Sequence, residues 1–181
     1  LDVDGPAVLN GLINGTTGNQ YTSEVVVAST WNTALTEEFG KALGNEAYAN
    51  HVSGLYGPAM NIHRTPFSGR NFEYYSEDAL LSGKMGAAMV RGCNATNTYT
   101  FIKHFAMNDQ ETNAMGLSVW SNEQAIRELY LRPFEVTVKE GQTKALMSTW
   151  SRAGTTWAGA SKALLQNVLR DEWGFQGFVI S

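Results

Sequence analysis

Charged and aromatic side chains gather where the apolar runs of this sequence end. They are Asp4 in Asp-Gly-Pro, Arg70 in Ser-Gly-Arg-Asn-Phe-Glu, the adjacent pair Lys103 and His104, and Trp150. Aromatics make up 11% of the chain, with five Trp and 18 Gly, so aromatic side chains in Gly-rich loops are available as stacking faces. An indole face suits the apolar face of a pyranose, which points to sugar binding; the competing reading is that each Trp fills the core. Lys103 and His104 interrupt an apolar stretch of Phe101, Ile102 and Phe105. Side chains alternate faces along a strand. Both therefore reach one pocket only if the strand breaks there, at a bulge or at the start of its loop. Otherwise Lys103 is a surface charge and His104 a hydrogen-bonded polar residue.

Other chemistries lack their signatures. The Gly-rich stretch 11–18 has neither the Walker spacing nor the strand–turn–helix setting of a dinucleotide site. Gly-x-Ser-x-Gly and His-Glu-x-x-His are absent, which argues against serine-hydrolase and zincin chemistry. The three His have no paired spacing, and the lone Cys93 precludes an internal disulfide or a Cys-based zinc cluster. No cofactor and no metal are expected. With 17 Asp plus Glu against 13 Lys plus Arg, the net charge of −4 offers no footprint for nucleic acid or an anionic membrane surface. No apolar run approaches the roughly 20 residues of a membrane span. At 43% hydrophobic and 17% charged, the composition is that of a globular domain.

The elements that must hold these residues alternate between two periods. Short β-rich runs fall at 25–28, 55–60, 100–104, 145–149 and 178–181, with helical spacing at 33–50, 76–91, 122–140 and 161–171. Within the first helix Leu35, Phe39, Leu43 and Ala47 form the apolar stripe, with Thr33 as N-cap. Pro133 predicts a kink or a break in the third. Strands alternating with helices imply βαβ units and a parallel sheet, open or barrel-shaped. The connections that leave the strands, 61–75, 105–121 and 150–160, are longer than those that return. Long loops at the strands' C-terminal ends are where α/β folds bind ligands, and the residues named above fall in or beside them.

Four ordered segments carry a resemblance: Asp4-Gly5-Pro6; 64–78, Arg-Thr-Pro-Phe-Ser-Gly-Arg-Asn-Phe-Glu-Tyr-Tyr-Ser-Glu-Asp; 103–111, Lys-His-Phe-Ala-Met-Asn-Asp-Gln-Glu; and 169–181, Leu-Arg-Asp-Glu-Trp-Gly-Phe-Gln-Gly-Phe-Val-Ile-Ser. Together they make the chain similar to the N-terminal barrel of family 3 glycoside hydrolases, the β-glucosidase-like group. The resemblance implies that residues 1–181 are a partial N-terminal domain, an incomplete (β/α)8 barrel with about five strands and four helices, where a complete one needs about 250 residues. It implies a retaining, exo-acting hydrolase that releases terminal β-D-glucosyl or other hexosyl residues from a β-glucoside or oligosaccharide, without a cofactor. A non-catalytic sugar-binding homologue and a β-xylosidase-like hydrolase are the alternatives.

The same resemblance assigns substrate-binding roles. Asp4 accepts from glycone hydroxyls, Arg70 holds vicinal hydroxyls with its planar fork, and Lys103 and His104 donate to the 2- and 3-hydroxyls. Their positive charge would hold a neighbouring carboxylate ionised. Trp150 stands where the family usually has a Tyr that contacts the nucleophile through its hydroxyl, so here it lines the pocket. Glu73, Asp109 and Glu111 are expected to fix loops. The family's nucleophilic Asp follows Val-Ile-Ser directly and is expected immediately after Ser181, and the acid/base in a later domain. The partners expected are thus a carbohydrate substrate and the C-terminal segments of the parent protein, and the 181 residues alone are expected not to turn over.

Overall fold

The computed structural model describes residues 2–4 and 18–181. Gly5 and Pro6 of the first motif and the Gly-rich residues 11–17 lie outside the described residues. Strands β1 (Asp2–Asp4), β2 (Gly54–Tyr56), β3 (Tyr99–Phe105), β5 (Ala145–Ser148) and β8 (Phe178–Ile180) form one all-parallel sheet in that order. The remaining strands, β4 (Ser118–Val119), β6 (Arg152–Ala153) and β7 (Thr156–Trp157), make a small separate sheet from the loops that leave β3 and β5. Five parallel strands with intervening helices are an incomplete (β/α)8 barrel, eight strands being the closed set.

The helices are α1 (Glu24–Ala28), α2 (Thr33–Ala49), α3 (Ala79–Asn94), α4 (Glu123–Ala125) and α5 (Arg132–Gly141), followed by a wider, π-type helix over Ala163–Glu172. Asn32, not Thr33, caps α2, its side chain accepting from Leu35 N at 3.0 Å. Asp78 caps α3 by accepting from Leu81 N at 2.7 Å. The expected break at Pro133 is present: a π turn over Ile126–Tyr130 separates α4 from α5, and Pro133 sits in the first turn of α5, where its missing N–H costs nothing.

One element has the other period. Residues 25–28, read as a strand from their Val run, are helical in α1. Glu24, Val27 and Ala28 are buried while Val26 points out, a spacing of three and four. Tertiary burial of that face overrides the β-propensity of the valines. The first strand of the sheet is instead Asp2–Asp4, too short to show alternation. The apolar stripe of α2 is also displaced. Leu35 is exposed, and the buried face is Thr36, Gly40, Leu43, Gly44 and Ala47. Its small residues let α2 approach α3 closely: a Cβ at Gly40 would lie 2.5 Å from the Met89 carbonyl oxygen and 3.1 Å from the Gly92 Cα. Glycine is required at that crossing.

The main core lies between the sheet and helices α3, α5 and Ala163–Glu172, built from residues such as Met85, Val90, Ile102, Phe105, Phe134, Leu146 and Leu169. The tryptophans contribute little to it. Trp31, Trp120, Trp150 and Trp157 are exposed, and only Trp173 packs against the cluster, edge-on to Phe105. No helix among the described residues is long and apolar enough to cross a membrane.

Candidate functional site

The strands of the parallel sheet all point their C-terminal ends to one face, and a cavity of about 190 Å³ opens there. Asp4, Arg70, Lys103, His104 and Trp150 line it, brought together from four separate stretches of chain. Tyr56, Asn108, Glu111, Ser148 and Thr149 line it as well. Tyr56 and Ser148 are the last residues of β2 and β5, and their position at a strand's C-terminal end was the available signal for them.

The break that Lys103 and His104 require is in β3. Ile102 pairs with Leu146 and Phe105 with Ser148, so β3 uses three steps where β5 uses two. The extra residue shifts the alternation, and the two neighbours line the same cavity. On its other side β3 pairs with β2 through Tyr99 and Thr100, and at Lys103 with the segment that follows β2: Lys103 N donates to Pro58 O at 3.1 Å and Met60 N to Lys103 O at 2.6 Å. β2 ends at Tyr56, where the Gly57 N–H donates back to the Leu55 carbonyl at 3.0 Å. Asn61 then clamps the His104 backbone from both sides, accepting from its N–H at 2.8 Å and donating to its carbonyl at 3.0 Å.

The cations of the site are tied by carboxylates. Lys103 Nζ is 3.1 Å from Asp4 Oδ1 and 3.2 Å from Glu73 Oε2. The other oxygen of Glu73 accepts from Arg70 Nε, and Arg70 Nη1 lies 3.8 Å from Glu111 Oε1. Glu111 in turn accepts from Asn108 Nδ2 at 2.8 Å, and Thr149 donates to Asn108 Oδ1 at 3.1 Å. Glu111 is thus tied to its own loop through Asn108, the role the resemblance implied, while Glu73 links the two cations. Asp109 does not line the cavity; its Oδ1 is buried without a hydrogen-bond partner among the described residues.

His104 carries no positive charge here, contrary to the expectation that it would join Lys103 in holding a carboxylate ionised. Burial, and then the nearby Arg70 and Lys103, hold its imidazole well below its ordinary 6.5. Its Nδ1 is buried and has no hydrogen-bond partner among the described residues. Among the described residues that line the cavity, the positive charge comes from Lys103 and Arg70. Trp150, 55% exposed, stands at the rim with its indole accessible. Among the described residues no group of three or more His, Cys, Asp or Glu is placed to hold a metal ion.

Comparison with known proteins decides the family. The model of the glycosyl hydrolase family 3 N-terminal domain matches residues 8–181. The chain belongs to glycosyl hydrolase family 3. Among the relatives of this family 3 chain, β-glucosidase A of Butyrivibrio fibrisolvens is 43% identical over 167 residues, covering 92% of this chain and 20% of that protein. An exo-α-(1→6)-L-arabinopyranosidase of Bifidobacterium longum is 38% identical over 155 residues, 86% of this chain and 20% of its own length. The structure of β-glucosidase 3B from Thermotoga neapolitana in complex with α-D-glucose superposes with a TM-score of 0.93 at 44% identity, over 98% of this chain and 26% of that one. The family 3 chain thus spans about a fifth of the curated relatives it matches. Its open parallel sheet is part of the family's N-terminal barrel.

Proposed function

We propose that residues 1–181 are part of the N-terminal barrel domain of a retaining, exo-acting β-glucosidase-like hydrolase, with a terminal β-D-glucosyl unit bound in the cavity described above. The observation that carries this reading is the convergence of Asp4, Arg70, Lys103, His104 and Trp150 on one cavity at the C-terminal face of the sheet. Lys103 has three N–H donors and gives two to Asp4 and Glu73, which leaves one for a ligand hydroxyl. The guanidinium of Arg70 keeps donors beyond the one used on Glu73, in a planar fork suited to vicinal hydroxyls. Asp4 supplies an acceptor, neutral His104 supplies a ring that needs no counter-charge, and Trp150 supplies a stacking face. Preorganised groups of this kind act most strongly where water is largely excluded.

The attacking carboxylate belongs at the residue after Ser181. β8 runs parallel to β5 and ends on the same face, and the Ser181 hydroxyl contacts that of Ser148, a cavity residue. The next side chain along β8 would stand at the cavity. A retaining mechanism needs this nucleophile about 5–5.5 Å from a separate acid/base, and on this reading the acid/base comes from the rest of the polypeptide. The test is hydrolysis of 4-nitrophenyl β-D-glucopyranoside by the complete polypeptide, with NMR of the first-formed anomer. Release of β-glucose, with Asp as the residue after Ser181, is expected. No release, an inverted anomer, or another residue there sinks the proposal.

A further inference from the structure

Glu73 is 4% exposed and does not itself line the cavity, yet both of its oxygens are spent on residues that do. Oε1 accepts from Arg70 Nε and Oε2 lies 3.2 Å from Lys103 Nζ, itself 3% exposed. The carboxylate is rigidly presented. It closes a 3₁₀ turn over Asn71–Glu73, and its own N–H donates to the Arg70 carbonyl at 3.1 Å. Arg70 comes from the loop that follows β2 and Lys103 from the bulge in β3; backbone bridges from Ala59 to Tyr74 and to Lys103 bring the two segments together but do not fix where the ends of the two long side chains lie. Left alone they would repel, and each long side chain would regain rotamer freedom.

From this geometry we infer that Glu73 is a positioning residue for the proposed hydrolysis: its carboxylate yokes Arg70 to Lys103 and so fixes the spacing of the two donors that grip the glycone. This deepens the function proposed above and rests on it. A ligand in the cavity meets Arg70 and Lys103, not Glu73, and with each oxygen facing a cation Glu73 is unsuited to act as nucleophile or acid. Behind it, Glu24 of α1 is also buried and accepts from Ala59 N at 3.1 Å. Burial first, then the neighbouring Glu73, push the Glu24 carboxyl well above its ordinary range, so it does not compete for the cations.

A double-mutant cycle in the complete polypeptide tests the yoke, read as kcat/KM on 4-nitrophenyl β-D-glucopyranoside and as glucose affinity. Glu73→Gln alone should lower kcat/KM by about 100-fold, the scale on which truncating one member of a buried charge pair acts. In a Lys103→Ala background the same substitution should cost less than about 3-fold, because the distance it set no longer matters. Glu73→Asp, one methylene shorter, reaches one cation but not both; it should fall between wild type and Glu73→Gln, and it replaces Glu73→Gln in the cycle if that variant does not fold. Equal losses in both backgrounds, or no loss in the first, would overturn the inference while leaving the proposed function standing. A wild-type polypeptide that neither cleaves the glucoside nor binds glucose removes both.

Discussion

Lys103 Nζ meets Asp4 Oδ1 at 3.1 Å although β2 lies between their strands in the sheet and 99 positions separate them in sequence. β2 ends at Tyr56, and the segment after it, Pro58 to Met60, stays hydrogen-bonded to Lys103. The contact sets an acceptor and a donor side by side at the mouth of the cavity, the arrangement that adjacent sugar hydroxyls require. Asp4 is 53% exposed, so the pair contributes little to stability, on the order of 0–1 kcal/mol. On the proposed function its value is in binding.

Asp4→Ala should therefore separate activity from stability. In the complete polypeptide we expect kcat/KM on an aryl β-glucoside to fall by about 100-fold or more, the loss of a charged acceptor being worth about 2–5 kcal/mol. An aryl β-xyloside, which lacks the hydroxymethyl arm, should suffer less. Thermal unfolding should shift by only a few degrees. Equal losses on both sugars would refute the hexose assignment.

Lys103→Ala should behave differently, because Lys103 is buried. It removes a donor from the ligand and also leaves one oxygen of Glu73 without its cation. Activity on the glucoside should fall by orders of magnitude, and unfolding in urea should show a loss approaching the roughly 3–5 kcal/mol of a broken buried pair. An unaffected rate would take Lys103 out of the site.

The five cavity residues named from the sequence were legible because each sits in a segment with unusual chemistry for its place: an Asp directly before Gly-Pro, two polar residues inside an apolar strand, an Arg flanked by Gly and Asn, and a Trp at a strand's end. The βαβ order was legible because helices α2, α3 and α5 are long enough to show their period. What was not legible depends on contacts distant in sequence. The valines of α1 read as a strand until Glu24 is seen buried against Ala59. The role of Glu73 needs the fold that brings Lys103 to it, and the neutrality of His104 needs the burial and the two cations around it. The strands β4, β6 and β7, two residues each, are too short to carry a period at all.

His104 makes a prediction with a definite sign. Its folded-state pKa is held well below the ordinary 6.5, first by burial and then by Arg70 and Lys103. The stability it contributes is thus present above about 6.5 and lost as pH falls below that value toward the folded pKa. In His104→Gln the acid side of the stability–pH curve should be flatter than in wild type, measured by urea unfolding at pH 5 and pH 8. NMR of the ring nitrogens should show a neutral imidazole in the folded protein at pH 6. A ring charged at that pH would show that the cationic surroundings do not act on it.

Asp109 has the opposite sign. Burial raises its carboxyl from 3.8 to about 7, against the smaller pull of Arg64 and the Ile62 N–H, and its Oδ1 has no hydrogen-bond partner among the described residues. A carboxyl that folding keeps protonated contributes stability that is full below its unfolded value near 4 and lost as pH rises through 7. A rise from 3.8 to about 7 corresponds to about 4 kcal/mol at most. Asp109→Asn keeps the shape and can still accept from Ile62 but cannot ionise. The variant should match wild type at pH 4 and exceed it at pH 8, with most of the gain appearing between pH 5 and 8. Because Asp109 does not line the cavity, kcat/KM measured on the complete polypeptide at pH 6 should change by less than about 3-fold, the range of a substitution that leaves the ligand contacts intact. A stability gain of the same size at both pH values would mean that the side chain's volume, not its charge, is what the fold resists.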